Sequence, residues 1–407
     1  MSFDDPMSWL GGWEGYRVET VERREGEQPE IWIFLGFQPG AALICDGCGE
    51  AAGAVHDIEC RVVRDLPILD ATTFVSVPRR RVACPQCGPR LERLSWLERY
   101  ARVTTRLAES VGRLCAVLPV KHVATFFDLH WSTVKAIDTH RLEVALNPPE
   151  FSSVEVLAMD EFALRKGHRY ATVVVDPRRR RVLWVGKGRG REDIRPFFDL
   201  LGTAGCHRIK AVAMDMNAAY AREVKARCPH AVVIYDLFHV IAKYGREVID
   251  RVRVDEANRL RHDKKARKVV KTARWLLLRN RETIVREEDH VRLDEVLAAN
   301  QSLMTVYVLR DELKGLWRMS SPEAARTAWN DWVRKARDSA IPALMRFAKR
   351  LEPYLAGIAA ATVWRLNTSV LEGINNRIKV IKRMAYGFRD DAYFFLKIRD
   401  AFPGIPS

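Results

Sequence analysis

From residue 154 onward, short apolar runs alternate with turn residues. "VEVLAMDEF" reads as a strand, and "HRYATVVVDP" and "RRVLWVGKGR" as a hairpin across "DPRRR". "REDIRPFFDLLG" has helical spacing, "IKAVAMD" is again a strand, "NAAYAREVKARC" a helix and "AVVIYD" a last strand. Apolar and β-branched runs bounded by Gly, Pro, Asn and Asp predict strands, and a 3.6-residue period predicts helices. Three antiparallel strands followed by alternating helix and strand predict a mixed five-stranded sheet with helices on its faces.

The flanking segments follow other periods. "ECRVVRDLPI" and "TTFVSVPRRRVAC" read as strands. "TTRLAESVGRLCAVLP" is helical up to Pro119, "VKHVATFFDLH" is a short helix, and "WSTVKAIDTHRLE" is a third with Ser132 or Thr133 as its N-cap. Helix, short turn and helix outline a helix-turn-helix, whose last helix would lie in the major groove with Ser132, Thr133 and Lys135 towards DNA. A small helical bundle shares this outline. "NPPEFSS", residues 147 to 153, reads as a linker, and residues 243–365, with Trp275, Trp317, Trp329, Trp332 and Trp364, as an all-helical insertion. In "NTSVLEGINNRIKVIKRMAYGFRD", Ile374, Ile378 and Ile381 form one apolar stripe, while Glu372, Asn376, Lys379 and Arg383 share the opposite face. The boundaries are 1–100, 101–146, 147–242 with 366–407 as one core, and 243–365 inserted into it.

Composition narrows the function. Lys and Arg number 67 against 52 Asp and Glu, a net charge of +15, which points to a polyanionic partner, nucleic acid first and an anionic membrane surface second. No apolar run reaches the roughly 18 residues of a membrane span, and "MSFDDPMSWLGG" lacks a signal peptide's basic-then-apolar pattern. A cytoplasmic, nucleoid-associated location is the expectation. The basic run from Arg261 to Arg274 suits a DNA-binding face and a solvated helix equally well.

"CDGCG" and "CPQCG" place Cys45, Cys48, Cys84 and Cys87 in two C-x-x-C pairs with 35 residues between them. Four thiolates suit tetrahedral zinc, and a Gly-closed turn lets backbone N–H groups point at sulfur, so a zinc ribbon is predicted. The competing reading, a redox dithiol, lacks a surrounding βαβ pattern. His56 is a substitute ligand the site does not need. Cys60, Cys115, Cys206 and Cys228 read as packing residues.

Asp160 ends the first core strand and Asp215 the fourth, where an open α/β sheet places its site. With Glu372 they form a hard oxygen-donor set suited to Mg²⁺ or Mn²⁺, two ions serving in-line attack on phosphorus. Asp236 in "YDLFHV" also follows a strand and competes with Asp215. Glu161, next to Asp160, should face away by strand alternation. His239 reads as a packed histidine or a contact to the scissile phosphate. Asn375, Asn376, Lys379, Lys382, Arg383 and Arg389 are candidates for positioning backbone phosphates.

These motifs, "MDEFALRKGHRYATVVVD", "MDMNAAYAREV", "YDLFHV" and "LEGINNRIKVIKRMAYGFRD" behind the paired cysteine knuckles, resemble the bacterial insertion-sequence transposases of the ISL-three family over nearly the whole chain. The resemblance implies a DDE transposase: a ribonuclease-H-like core with a helical insertion before the final acid, preceded by a zinc ribbon and a helix-turn-helix. It makes Asp160, Asp215 and Glu372 the three acids. It implies cleavage at terminal inverted repeats and joining of 3′ ends to target DNA, by a homo-oligomer on double-stranded DNA and with no membrane partner. A metal-dependent nuclease without joining, and a transposase-derived DNA-binding regulator, are the alternatives.

Overall fold

The computed structural model describes residues 11–146, 150–165, 167–364, 366 and 369–405. Residues 147–149 of the expected linker lie outside these. The described residues fall into two compact units, 11–146 with Val380–Ala401, and 150–379 with 402–405.

The first unit begins with a sheet of order β1-β2-β4-β3, with β5 paired to β4. Its strands are β1 (Tyr16–Arg24), β2 (Glu30–Phe37), β3 (Val55–Ile68), β4 (Ala71–Cys84) and β5 (Gly88–Leu91). Alternation along β2 and β4 buries Ile31, Ile33, Leu35, Val75 and Val77 on one face, under Trp13, Tyr16, Trp96 and Leu97. Glu92, itself buried, ties the sheet to the cysteine knuckles. It accepts the Arg80 backbone N–H at 2.9 Å and the guanidinium at 2.6 Å, and the Tyr16 hydroxyl as well. A buried charge with that many donors is compensated, and removing one partner would cost about 3–5 kcal/mol.

Three helices follow: α1 (Thr105–Cys115), α2 (Val120–Phe126) and α3 (Trp131–Ala145). They close over Leu107, Val111, Val123, Phe127 and Val134. Thr104 caps α1 by accepting the Leu107 N–H. The cap of α3 differs from expectation: it is His130, whose Nδ1 accepts the Ser132 N–H at 3.3 Å, so Ser132 and Thr133 lie inside the first turn. A neutral imidazole nitrogen supplies the acceptor that Ser or Thr usually provides, which a search for hydroxyls overlooks.

The second unit is built on a five-stranded sheet of order β10-β9-β6-β7-β8. Its strands are β6 (Val156–Arg165), β7 (Arg169–Asp176), β8 (Arg181–Lys187), β9 (Ala211–Met214) and β10 (Val232–Tyr235). β6, β7 and β8 are antiparallel, whereas β9 and β10 run parallel to β6. The helices α4 (Arg191–Arg208), α5 (Ala218–Arg227) and α6 (Leu237–Tyr244) alternate with the later strands. At its end the chain returns to the hairpin, where Val182 N donates to Phe402 O.

The insertion comprises α7 (Asp250–Arg259), α8 (Lys264–Thr272), α9 (Arg274–Leu278), α10 (Glu287–Ala298), α11 (Gln301–Gly315), α12 (Pro322–Asp338), α13 (Pro342–Leu351) and α14 (Leu355–Trp364). It shares one continuous core with the sheet, a core that contains Trp329 and Trp332 as well as Val174 and Val212. Trp317 Nε1 donates to Tyr235 O at 3.1 Å, and a Cβ on Gly357 would stand 2.6 Å from Val233 O. Only glycine allows α14 that close to β10. The helix α15 (Ser369–Met384) begins in the second unit, buries Leu371, Ile374 and Ile378, and ends in the first. The last helix, α16 (Asp391–Asp400), belongs to the first unit.

Candidate active site

Strand register brings the acids together. Ala158 pairs with Ala213, so Asp160 and Asp215, each two residues further on, stand at the same level on the parallel neighbours β6 and β9. Tyr235 pairs with Met214, which sets Asp236 beside Asp215 as well. Asp215 and Asp236 therefore follow the carboxyl ends of β9 and β10, but Asp160 does not end its strand as expected: β6 continues to Arg165 because β7 goes on pairing with it, so Asp160 lies mid-strand, just beyond the last residue paired to β9. Their surroundings separate them.

Asp236 is occupied as a helix cap. Its Oδ1 accepts the Phe238 N–H at 2.9 Å at the start of α6, and its Oδ2 lies 3.4 Å from His239 Nδ1. Asp160 Oδ1 accepts the Glu161 N–H at 2.8 Å, and its Oδ2 accepts Asn375 Nδ2 at 2.6 Å. Asp215 Oδ1 is buried and has no hydrogen-bond partner among the described residues. Burial pushes the Asp160 carboxyl up to about 6, with the charges of Asp215 and Glu161 adding to it and the Glu161 N–H and His239 opposing. Burial also raises Asp215, followed by the charge of Glu161. Two half-desolvated like charges and an unpaired carboxylate oxygen are a costly arrangement that a cation relieves.

Glu161, in mid-β6 and expected to face away, is tied to residues that follow β8 and β9. Arg189 Nη1 donates to its Oε1 at 2.9 Å and Asn217 Nδ2 to its Oε2 at 3.5 Å. Glu372 is exposed in the first turn of α15, three residues before Asn375 and hence on the same side of the helix. The three acids are not gathered as tightly as the cysteines: among the described residues, the ligand group of three or more within 4.8 Å is the four cysteines. Asn376, Lys379 and Arg383 are exposed, and Lys379 Nζ donates to Asn376 Oδ1 at 3.3 Å. Lys382 is half-buried and Arg389 exposed, both in the first unit with Arg383. The bond from Asn375 to Asp160 was not foreseen, although its position one turn after Glu372 was the available signal.

The cysteines fulfil the predicted geometry. Cys45, Cys48, Cys84 and Cys87 converge within 4.8 Å, with Cys48 and Cys84 sulfurs 3.6 Å apart. Gly49 and Gly88 take positive φ after each pair, and a Cβ on Gly47 would come 3.1 Å from Cys87 Sγ. The Cys48 and Gly47 N–H groups hold the Cys45 thiol down to about 7 against the effect of burial. His56 is turned to Asp57 at 3.0 Å. Cys115, Cys206 and Cys228 are buried as expected, but Cys60 is exposed, because the first half of β3 has few buried positions on either face.

On α3, Ser132 is exposed and Thr133 half-exposed. Lys135 is paired to Asp390 at 2.7 Å. No helix among the described residues is long and apolar enough to cross a membrane.

Comparison with known proteins decides the family. A model of the ISL3 DDE domain, described as a transposase, matches residues 157–398, more than half of the chain. The chain belongs to the ISL3 family of transposases. A model of the family's helix-turn-helix domain matches residues 92–142, and a zinc-finger model of transposases IS204/IS1001/IS1096/IS1165 matches 42–87. The chain is 57% identical over 400 residues to the transposase for insertion sequence element IS1001 of Bordetella parapertussis, covering 98% of each. It is 26% identical to the transposase for insertion sequence element IS1557 of Mycobacterium tuberculosis, over 91% of this chain and 89% of that one. As a DDE transposase it cuts and transfers DNA strands, and the family implies a divalent metal. The hard oxygens at Asp160 and Asp215, one of them buried without a partner, fit such an ion.

Proposed function

We propose that this transposase binds the terminal inverted repeats of its own insertion sequence, cleaves the DNA there and joins the freed 3′ ends to target DNA. The observation that carries the reading is the strand register that sets Asp160 beside Asp215, with Asp215 Oδ1 buried and unpartnered. The strand order, three antiparallel strands followed by two parallel ones, supports a ribonuclease-H-like core.

Asp160, Asp215 and Glu372 would hold Mg²⁺ or Mn²⁺. When bound, such ions lower the pKa of an attacking water or 3′-hydroxyl and stabilise charge on the leaving oxygen. The protein's own part is positioning. The Glu161 N–H fixes one oxygen of Asp160, β9 brings Asp215 alongside, and α15 carries Glu372 and the exposed Asn376 and Lys379 towards a phosphate backbone. Asp236 shapes the edge as the cap of α6. Zinc is the ion that four converging thiols favour in the N-terminal unit. Base recognition falls to the helix-turn-helix, where Ser132 and Thr133 lie in the first turn of α3.

Strand transfer of a labelled terminal-repeat duplex with Mg²⁺ tests the site. Asp160→Ala, Asp215→Ala and Glu372→Ala should each abolish cleavage and joining while end binding persists, because affinity comes mainly from cationic contacts. Cleavage without joining in the unaltered protein would indicate a nuclease. Full activity of Glu372→Ala would remove the third acid from the site.

A further inference from the structure

Asn375 stands between the two halves of the acid site. Its Nδ2 donates to Asp160 Oδ2 at 2.6 Å, a bond between α15 and β6. An ionised carboxylate only accepts, so the amide must turn its NH₂ group to Asp160 and its oxygen the other way. That Oδ1 is buried and has no hydrogen-bond partner among the described residues. With the Glu161 N–H on Oδ1 at 2.8 Å, both oxygens of Asp160 are pinned, one by its own strand and one by the helix that carries Glu372. A carboxylate held at both oxygens has lost the rotation that would otherwise let it follow solvent.

We infer that Asn375 is a positioning residue for a divalent cation: its amide N–H sets the orientation of the Asp160 carboxylate and locks the Glu372 helix to that strand. The inference rests on the reading of Asp160 as an ion ligand. It takes Asn375 out of the phosphate-contacting group. A phosphate contact would have to break a charge-assisted bond at 2.6 Å, whereas the neighbouring Asn376 is exposed and needs no such exchange.

The test is Mn²⁺ titration calorimetry on the full chain without DNA, alongside thermal melting and binding to a duplex from the DNA flanking its own reading frame, in EDTA. Outer residues that orient a metal ligand commonly contribute ~10–100-fold in affinity, and Asn375→Ala should weaken Mn²⁺ by that factor. Its EDTA end binding should match the unaltered protein, while its melting temperature should drop modestly with the lost charge-assisted bond. Asn375→Leu keeps the volume, removes the donor without adding an oxygen ligand and should weaken Mn²⁺ likewise; it carries the test should the alanine variant fold poorly. Unchanged or tighter Mn²⁺ binding by Asn375→Leu would overturn the donor role. Weakened end binding by Asn375→Ala with intact Mn²⁺ affinity would make Asn375 a phosphate contact and overturn it too. Asp160→Asn is the control: loss of Mn²⁺ there but not in the Asn375 variants sinks this inference alone, while intact binding in Asp160→Asn removes the ion site and the inference with it.

Discussion

Asp215 and Asp236 occupy equivalent register positions on adjacent strands, yet their chemistry differs because one carboxylate is already used. Asp236 caps α6, and Asn, an equally good cap, should replace it with little loss of stability, whereas Asp236→Ala should cost about 1 kcal/mol. Asp215 holds a charge that burial and Glu161 both disfavour. Asp215→Asn should therefore abolish strand transfer and yet raise the melting temperature of the metal-free protein, since the neutral amide removes that electrostatic cost. Melting in EDTA beside a strand-transfer assay reads both. Activity kept by Asp215→Asn and lost by Asp236→Asn would move the second ligand to Asp236. Both acids were legible in the sequence as strand ends. The cap was not, because it depends on where α6 begins, and neither was Asn375, whose partner lies 215 residues away.

The zinc ribbon shows which elements a pattern reveals. Paired knuckles are local, and Cys45, Cys48, Cys84 and Cys87 could be read directly from spacing. β1 was not foreseen: most of its residues are exposed, so "YRVETVERR" lacks the apolar alternation of a half-buried strand. The ribbon's own core is little more than Val82 and the cysteines, with Leu43 and Ala52 beside them, whereas the sheet next to it has Ile33, Val75, Trp96 and others. Metal removal should thus unfold part of the unit only. After chelation, or in the Cys45→Ser, Cys84→Ser double variant, hydrogen exchange should become fast in residues 43–52 and 84–91 and stay slow in β2 and the middle of β4. Elemental analysis should find one zinc per chain in the unaltered protein and none in the double variant. Zinc retained by that variant would mean the ion sits elsewhere.

The helix-turn-helix is completed by residues from the far end of the chain. Asp138 on α3 is fully buried, and its Oδ2 accepts the Tyr393 hydroxyl at 2.6 Å and Lys397 Nζ at 3.0 Å, both from α16. Lys397 also donates to Cys115 O at 2.6 Å, Arg399 to Leu146 O at 2.7 Å, and Asp390 pairs with Lys135. A contiguous fragment of residues 1–146, which spacing alone suggests as the DNA reader, would leave Asp138 with Arg141 at 3.2 Å as its remaining ion pair. Stripping a buried charge of its partners costs about 3–5 kcal/mol, a large share of the 5–15 kcal/mol that holds a typical domain. Fragment 1–146 should therefore melt early and bind terminal-repeat DNA weakly, and a version with residues 388–401 joined through a flexible linker should recover both. Circular dichroism melting and duplex titration at fixed salt make the comparison. If 1–146 alone melts cooperatively and discriminates the repeat as well as the linked version, α16 is dispensable to the reader. If the linked version alone succeeds, the DNA-reading unit includes the helix that α15 runs into through residues 385–390, so the segment bearing Glu372 is covalently continuous with the part that recognises the end.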